Sequence, residues 1–241
     1  MSSDRVDFFI VGAMKSGTSS LRSAIGRSQD VNIASNELHF FDNDNNFARG
    51  LDWYHAQFEP NAADVLRGEK SPSYGFSRQW AERIAAYNPG AKILWIFRDP
   101  AERAISNFYH AKKRQLDAPD LNHAIENQDA LERQNAKSAY VFRSEYQKHL
   151  ANFDCFPRDQ MRVLIFEEML ERPADIAETF QFLGAEPPAK LGFPHANEGD
   201  ADLKERFPIS DATRAELDRV LRPTVEAVED WLGRPIARWR K

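Results

Sequence analysis

The chain has a single cysteine, Cys155, among its 241 residues. One thiol makes neither an internal disulfide nor a cysteine-based zinc site, so the fold must rest on its apolar core. Long apolar runs are missing as well. The longest near the N-terminus, Phe8 to Met14, ends at Lys15 after seven residues, against the roughly 20 that a membrane-spanning helix needs, so no transmembrane segment is expected. The opening Met-Ser-Ser-Asp-Arg lacks the basic start, longer apolar stretch and small-residue cleavage site of a secretory signal, and a cytoplasmic location is the expectation. Positive charge is not in excess either. The 32 Lys and Arg face 37 Asp and Glu, net −5, which argues against a general nucleic-acid coat and confines any anion binding to a local basic pocket. The histidines, at 39, 55, 110, 123, 149 and 195, form no His-Glu-x-x-His pair, so no metal is expected.

What is present is an ordinary globular balance, 42% hydrophobic and 29% charged, too apolar for a disordered chain. Neither repeats nor low-complexity tracts break it, and one domain over residues 1–241 is expected. Asp7-Phe-Phe-Ile-Val-Gly12 suits a strand buried on both faces. Thr18 to Ile25 begins with three hydroxyl residues fit for an N-terminal cap and continues at helical spacing. Short amphipathic helices are expected at Leu51 to Phe58 and Arg78 to Tyr87, with a short strand at Val65 to Gly68 between them. The run Lys92 to Phe97 reads as a second buried strand; after it Asp99 can cap a helix, Pro100 sits at its first position and Glu102 completes a capping box. A third buried strand is expected at Met161 to Phe166, with helices through Tyr146 and Leu150, from Pro173 to Leu183, and from Ala212 to Leu232 interrupted by Pro223. Residues 42–50, 117–120 and 187–208 read as irregular, and long loops of this kind often face substrate. Strands alternating with helices at these spacings predict an α/β fold, a three-layer sandwich with a mainly parallel central sheet.

Gly12-Ala-Met-Lys-Ser-Gly-Thr-Ser19 keeps the outline of a P-loop, two glycines with four residues between them followed by hydroxyl residues. Thr18 stands where the phosphate-binding lysine belongs, and the lysine has moved to position 15. Backbone N–H groups of Ser16, Gly17, Thr18 and Ser19 can still cradle an anion at a helix N-terminus, with Lys15 reaching its oxygens from the loop side. Taken alone, the stretch also fits a plain strand-to-helix turn. Three further stretches accompany it: Asn36-Glu-Leu-His-Phe-Phe41, Gly68-Glu-Lys-Ser-Pro-Ser-Tyr74 and Arg98-Asp-Pro-Ala-Glu-Arg-Ala-Ile-Ser106.

With these four motifs in order, from about Asp7 to Phe182, the sequence resembles the sulfotransferases that use 3′-phosphoadenosine 5′-phosphosulfate (PAPS), closest to the carbohydrate group that includes the heparan sulfate enzymes and their bacterial relatives. The resemblance implies that the loop from Gly12 to Ser19 binds the 5′-phosphosulfate in a P-loop-like manner, and that Arg98 and Ser106 bind the 3′-phosphate. PAPS is then a co-substrate released as 3′,5′-ADP, with no metal. The family pattern reads Lys-Glu-x-His-Phe-Phe, so Glu37 matches its general base and Asn36 departs from its lysine. The implied acceptor is a hydroxyl, less readily an amine, of a glycoside, a lipid-linked sugar or a small natural product; nucleic acid is not an implied partner.

The residues support these roles by ordinary chemistry. A carboxylate within hydrogen-bond reach can take the proton of an attacking hydroxyl. Burial of Glu37 among Leu38, Phe40 and Phe41 raises its pKa toward the useful range, whereas approach of Lys15 or Lys70 lowers it, and the sequence leaves both open. His39 reads as a hydrogen-bonded core residue or as an alternative catalytic base. Lys15 and Lys70 are the candidate cations for charge developing on the transferred group. Arg98 offers a planar fork to a phosphate, or else pairs with Asp99 or Glu102. Lys204 and Arg206, in the late loop, are the residues that the resemblance implies close over the 3′-phosphate, at a spacing that departs from the family's. The basic residues Arg98, Arg103, Lys112, Lys113 and Arg114 read as a rim for an anionic nucleotide or as a solvated helix face, and Trp53 and Tyr54 as core or acceptor-cleft residues. A P-loop nucleotide or sugar kinase is the same-fold alternative, disfavoured by Thr18 and by the want of a strand-end Asp for magnesium. A non-catalytic nucleotide-binding module is the alternative of another class.

Overall fold

The computed structural model describes residues 5–59, 65–114, 119–134, 138–172, 174–193 and 201–240. They fall into two compact units, one comprising Met1–Phe97 and Lys148–Ala196, the other Arg98–Gln147 and Asn197–Lys241. The strands β1 (Phe8–Gly12), β2 (Val31–Ile33), β3 (Leu66–Lys70), β4 (Lys92–Phe97) and β5 (Met161–Ile165) all lie in the first unit. In chain order the helices are α1 (Thr18–Ile25), α2 (Asp44–Phe47), α3 (Gly50–His55), α4 (Arg78–Tyr87), α5 (Pro100–Lys113), α6 (Leu121–Glu126), α7 (Gln128–Arg133), α8 (Tyr146–Asn152), α9 (Phe166–Glu171), α10 (Ala174–Leu183), α11 (Ala201–Arg206) and α12 (Asp211–Leu232).

The sheet is wholly parallel, in the order β2-β3-β1-β4-β5. Central β1 is buried at every position, the counterpart of its unbroken apolar run. Its side chains alternate between faces. Phe8 and Ile10 join Leu94, Ile96 and Leu164 against Leu21 and Ile25 of α1 and Ile176 and Phe180 of α10. Phe9 turns to the opposite face, into an aromatic layer with Phe41 and Tyr87 at centroid distances of 5.8 and 6.5 Å. The two faces give the α/β sandwich anticipated from the alternation of elements. In the second unit, Ala104, Ile105 and Phe108 of α5 form a separate core with Leu121 and Ile125 of α6 and Leu217 and Leu221 of α12.

Several local expectations are corrected. Residues 42–50 are not irregular throughout, because the Asn43 side chain accepts from Asn45 N and Asn46 N (3.0 and 3.2 Å) and so starts α2, and Gly50 opens α3. The late segment 187–208 likewise contains α11. Helix α12 runs straight through Pro223. An interior proline costs about 3 kcal/mol, but Leu217, Leu221, Thr224 and Val228 continue one buried face across it, and that burial outweighs the lost hydrogen bond. Strand β2, three residues long, was too short to show any alternation. Pro173 and parts of the 117–120 and 187–208 segments lie outside the described residues. No helix among the described residues is long and apolar enough to cross a membrane.

Candidate active site

The turn after β1 is shaped by two left-handed residues, Lys15 (φ 71°) and Gly17 (φ 93°). Gly17 is required twice over: its φ disfavours any Cβ, and a Cβ there would stand 2.6 Å from Phe166 Cδ2. It is also the N-cap of α1, and no side chain caps the helix. The hydroxyls expected to do so, at Thr18, Ser19 and Ser20, lie inside the first turn instead. The helix thus presents its first N–H groups, and the positive end of its dipole, without a side-chain acceptor. Ser16 has no exposed surface and its Oγ has no hydrogen-bond partner among the described residues. An unmet buried hydroxyl costs about 1–3 kcal/mol, which a bound oxyanion would remove. The loop therefore fits an anionic group by its own geometry.

A line of alternating charges leads away from this loop. Lys70, at the end of β3, donates to Ser19 Oγ (3.2 Å) and to Glu37 Oε1 (2.5 Å). Glu37 Oε2 lies 3.3 Å from His39 Nε2, and His39 Nδ1 lies 3.0 Å from Asp42 Oδ2. Ser73 Oγ closes the line by donating to Asp42. Lys70 and Asp42 are nearly buried, with side chains 6% and 7% exposed, whereas Glu37 and His39 are open at 38% and 41%. The accessible members are thus the carboxylate and the imidazole.

The electrostatics correct the burial argument for Glu37. The hydrogen bond from His39, joined by that from Lys70, overrides burial and lowers its pKa from 4.5 to about 2. His39 is raised from 6.5 to about 10 by its bonds to Asp42 and then Glu37. At neutral pH the first is a carboxylate and the second an imidazolium. Nor is His39 a core residue; the buried neighbours are Phe40 and Phe41, at 1% and 0%. His39 has φ 48°, and this left-handed turn separates the outward-facing Glu37 from the inward-facing phenylalanines.

The second unit holds the candidates for the 3′-phosphate and the basic rim. Asp99 caps α5 by accepting from Glu102 N at 3.0 Å, with Pro100 in the first turn. Arg98 lies 3.8 Å from Glu102, which Arg214 holds more closely. Ser106 is half-buried two turns along α5, and Lys204 and Arg206 are exposed on α11 rather than in a loop. Arg103 is withdrawn from the supposed basic rim: it is fully buried and donates to Ser144 Oγ, Asn107 Oδ1 and Tyr140 O (2.7, 3.1 and 2.7 Å). Desolvation lowers its pKa to about 9. Tyr54 is likewise interior, while Trp53 is half-exposed beneath the Arg49 guanidinium at 4.1 Å. Among the described residues no group of three or more His, Cys, Asp or Glu is placed to hold a metal.

Sequence reasoning stopped at Phe41 and missed Asp42 and Ser73. The signal was the Glu37-x-His39-x-x-Asp42 spacing, which sets a second carboxylate on the far side of the imidazole.

Residues 5–191 match the sulfotransferase domain family. The chain is 32% identical over 168 residues to heparan sulfate glucosamine 3-O-sulfotransferase 5 of Mus musculus, covering 68% of this chain and 49% of that protein. It is 30% identical over 178 residues to heparan sulfate glucosamine 3-O-sulfotransferase 3B1 of Homo sapiens, covering 73% and 45%. The chain thus spans about half the length of these curated relatives. A crystal structure of a sulfotransferase from Alicyclobacillus acidocaldarius superposes with a TM-score of 0.79 at 27% identity, covering 98% of this chain and 99% of that one. The sulfotransferase domain of the Synechococcus PCC 7002 olefin synthase shares the fold, with a TM-score of 0.60 at 17% identity over 96% and 98% of the two chains.

Proposed function

This chain belongs to the sulfotransferase domain family, and within it we propose that it moves the sulfuryl group of PAPS to a hydroxyl of a carbohydrate acceptor. The observation that carries the reading is the Lys70 bridge, which ties Ser19 at the α1 N-terminus to Glu37. It joins an anion-binding loop to a carboxylate with an open face. The relatives named as heparan sulfate glucosamine 3-O-sulfotransferases favour a sugar hydroxyl over an amine.

Lys15, Ser16, Gly17, Thr18 and Ser19 are the residues assigned to the phosphosulfate, with the buried Ser16 hydroxyl and the uncapped helix supporting the fit. Arg98 and Ser106 are assigned to the 3′-phosphate, and Lys204 and Arg206 are further cations for it. PAPS supplies an activated sulfuryl group and leaves as 3′,5′-ADP. Glu37 takes the proton of the acceptor hydroxyl. Its low pKa in the present state marks it as masked by two cations. When Lys70 turns to a second anion, Glu37 loses one of them and its proton affinity rises. Lys15 and Lys70, directed at the bound donor, stabilise charge as it develops on the oxygens of the transferred group. His39, held as an imidazolium by Asp42, orients Glu37 rather than serving as the base.

The test is incubation with sulfur-labelled PAPS and a panel of glycosides and heparan-type oligosaccharides, with 3′,5′-ADP binding followed by calorimetry with and without magnesium. Label transfer to a sugar hydroxyl without magnesium is the expected result. Magnesium-dependent phosphoryl transfer from ATP would overturn it in favour of a kinase. Tight 3′,5′-ADP binding with no transfer to any acceptor would mark a binding module.

A further inference from the structure

Glu69 precedes Lys70 in β3 and points the other way, into the aromatic layer, with no exposed surface. Its carboxylate accepts from Ser71 Oγ (2.7 Å), Tyr74 OH (2.6 Å) and Tyr54 OH. Two of these hydroxyls have a second task. Ser71 Oγ accepts from His39 N at 3.2 Å, and Tyr74 OH accepts from Phe40 N and Phe41 N at 3.0 and 3.3 Å. Three successive backbone N–H groups, directly after Glu37 and Leu38, thus end on hydroxyls that answer to one carboxylate. Resting on the reading of Glu37 as the acceptor base, we infer that Glu69 is a positioning residue, fixing the backbone of residues 39–41 through Ser71 and Tyr74 and thereby the aim of Glu37.

The argument is one of direction. An ionised carboxylate only accepts hydrogen bonds, whereas a hydroxyl donates one and accepts two. With Glu69 as acceptor, the protons of Ser71 and Tyr74 are committed to it, and their lone pairs face the backbone N–H groups. Burial pushes the Glu69 pKa up while the hydroxyl donors pull it back, and both phenols are held far above their ordinary range beside it. Tyr54 and Tyr74 therefore keep their protons and stay donors toward Glu69. Tyr54 also stacks on Phe40, with centroids 4.4 Å apart and planes 15° apart, so the ring following His39 is held by packing as well.

The segment needs holding. His39 has a left-handed backbone, which a residue with a Cβ keeps only where its surroundings impose it. Adjacent residues of β3 grip the segment at two points: Lys70 holds the Glu37 side chain and Glu69 the backbone just beyond it. A carboxylate that merely filled the core would have no reason to act through hydroxyls aimed at one loop.

The test compares Glu69→Gln, Tyr74→Phe and Ser71→Ala with the wild type. Glutamine brings an N–H donor to a site that requires acceptors only, and phenylalanine removes the acceptor of two backbone N–H groups. Turnover is expected to fall about 10²-fold in Tyr74→Phe, the scale of a small misplacement of a catalytic group, with the KM for PAPS unchanged. Amide exchange should quicken at residues 39–41 while β1 and β4 stay protected. The His39 imidazole, followed by NMR, should titrate at lower pH than in the wild type, toward the ordinary 6.5, since a loosened segment separates it from Asp42 and Glu37. Should Glu69→Gln fail to fold, the milder Tyr74→Phe and Ser71→Ala decide the question. A folded Tyr74→Phe protein with wild-type turnover, exchange and His39 titration would overturn the inference, as would lost turnover with exchange and titration unchanged. If the wild type transfers no sulfuryl group, the reading of Glu37 fails separately, and exchange and titration still decide whether Glu69 fixes this segment.

Discussion

Lys70 Nζ lies 2.5 Å from Glu37 Oε1, and the two side chains differ sharply in exposure, 6% against 38%. A pair so placed is a poor investment in stability, since solvent screens the open carboxylate and exposed pairs contribute about 0–1 kcal/mol. Its value lies in what it holds apart. The cation also reaches Ser19 at the start of α1, so one buried ammonium links the turn proposed for the phosphosulfate to the open carboxylate. Lys70→Ala should therefore act on both. Turnover should drop by about 10²–10³, as for removal of one preorganised electrostatic donor. The acid limb of kcat/KM should also move to higher pH, because Glu37 loses a partner that holds its pKa near 2. A fall in turnover with the limb unmoved would separate Lys70 from Glu37.

Lys15→Ala should lower turnover by about 10²–10³ with only a modest loss of 3′,5′-ADP affinity, because its proposed target is the transferring group, which 3′,5′-ADP lacks. Single-turnover kinetics and calorimetry on the same protein check the split. Near-wild-type turnover would remove Lys15 from the chemistry.

Arg98→Ala should mainly weaken donor binding. A charge-assisted contact to the 3′-phosphate contributes roughly 1.5–3 kcal/mol. Its loss should appear in calorimetry with 3′,5′-ADP but be much smaller with 5′-AMP, which has no 3′-phosphate. Equal losses for the two nucleotides would show that Arg98 reads something else.

Much of this was legible in the sequence, for physical reasons that differ by element. Buried parallel strands such as β1 and β4 announce themselves as unbroken apolar runs, and Asp99-Pro100 marks the start of α5 by local rules alone. The Gly12 to Ser19 outline was legible because Gly17 is demanded by its left-handed backbone and Gly12 by the close approach of the Trp95 ring. The charge state of Glu37 was not, since it is set by His39 and Lys70, and the distance from position 37 to position 70 is a product of sheet pairing between β2 and β3. The burial of Arg103 was hidden for the same reason: its acceptors Ser144 and Tyr140 are distant in sequence. Helix α12 misled because proline is read locally, whereas the face that carries the helix past Pro223 is decided by packing.

Glu37→Gln keeps the side-chain shape but cannot take a proton, so turnover should fall by about 10²–10⁴ while 3′,5′-ADP binding survives. A substituted enzyme retaining most of its turnover would move the search for the base elsewhere, and His39 at neutral pH is a poor place to look because it already carries its proton.

The last prediction follows the signs of the two shifts. Glu37 is lowered from 4.5 to about 2, so its contribution to stability is complete above 4.5 and is lost as pH falls through about 2. His39 is raised from 6.5 to about 10, so its contribution is complete below 6.5 and is lost as pH rises through about 10. Between 4.5 and 6.5 both are intact, and the cluster stabilises the fold most there. His39→Gln tests the coupling, because it removes the largest cause of the Glu37 shift while leaving Lys70 in place. On the alkaline side, the decline in Tm between pH 6.5 and 10 should be shallower in the variant than in the wild type. On the acid side the loss begins near 4.5 in both proteins, but Glu37 regains a higher folded pKa in the variant, so its decline ends at a higher pH and is smaller in total. Both groups are more than a third exposed, so water screens the pair and each difference should be small, on the scale of surface ion pairs. Parallel Tm-against-pH curves for the two proteins on both limbs would show that His39 and Glu37 do not titrate as a pair.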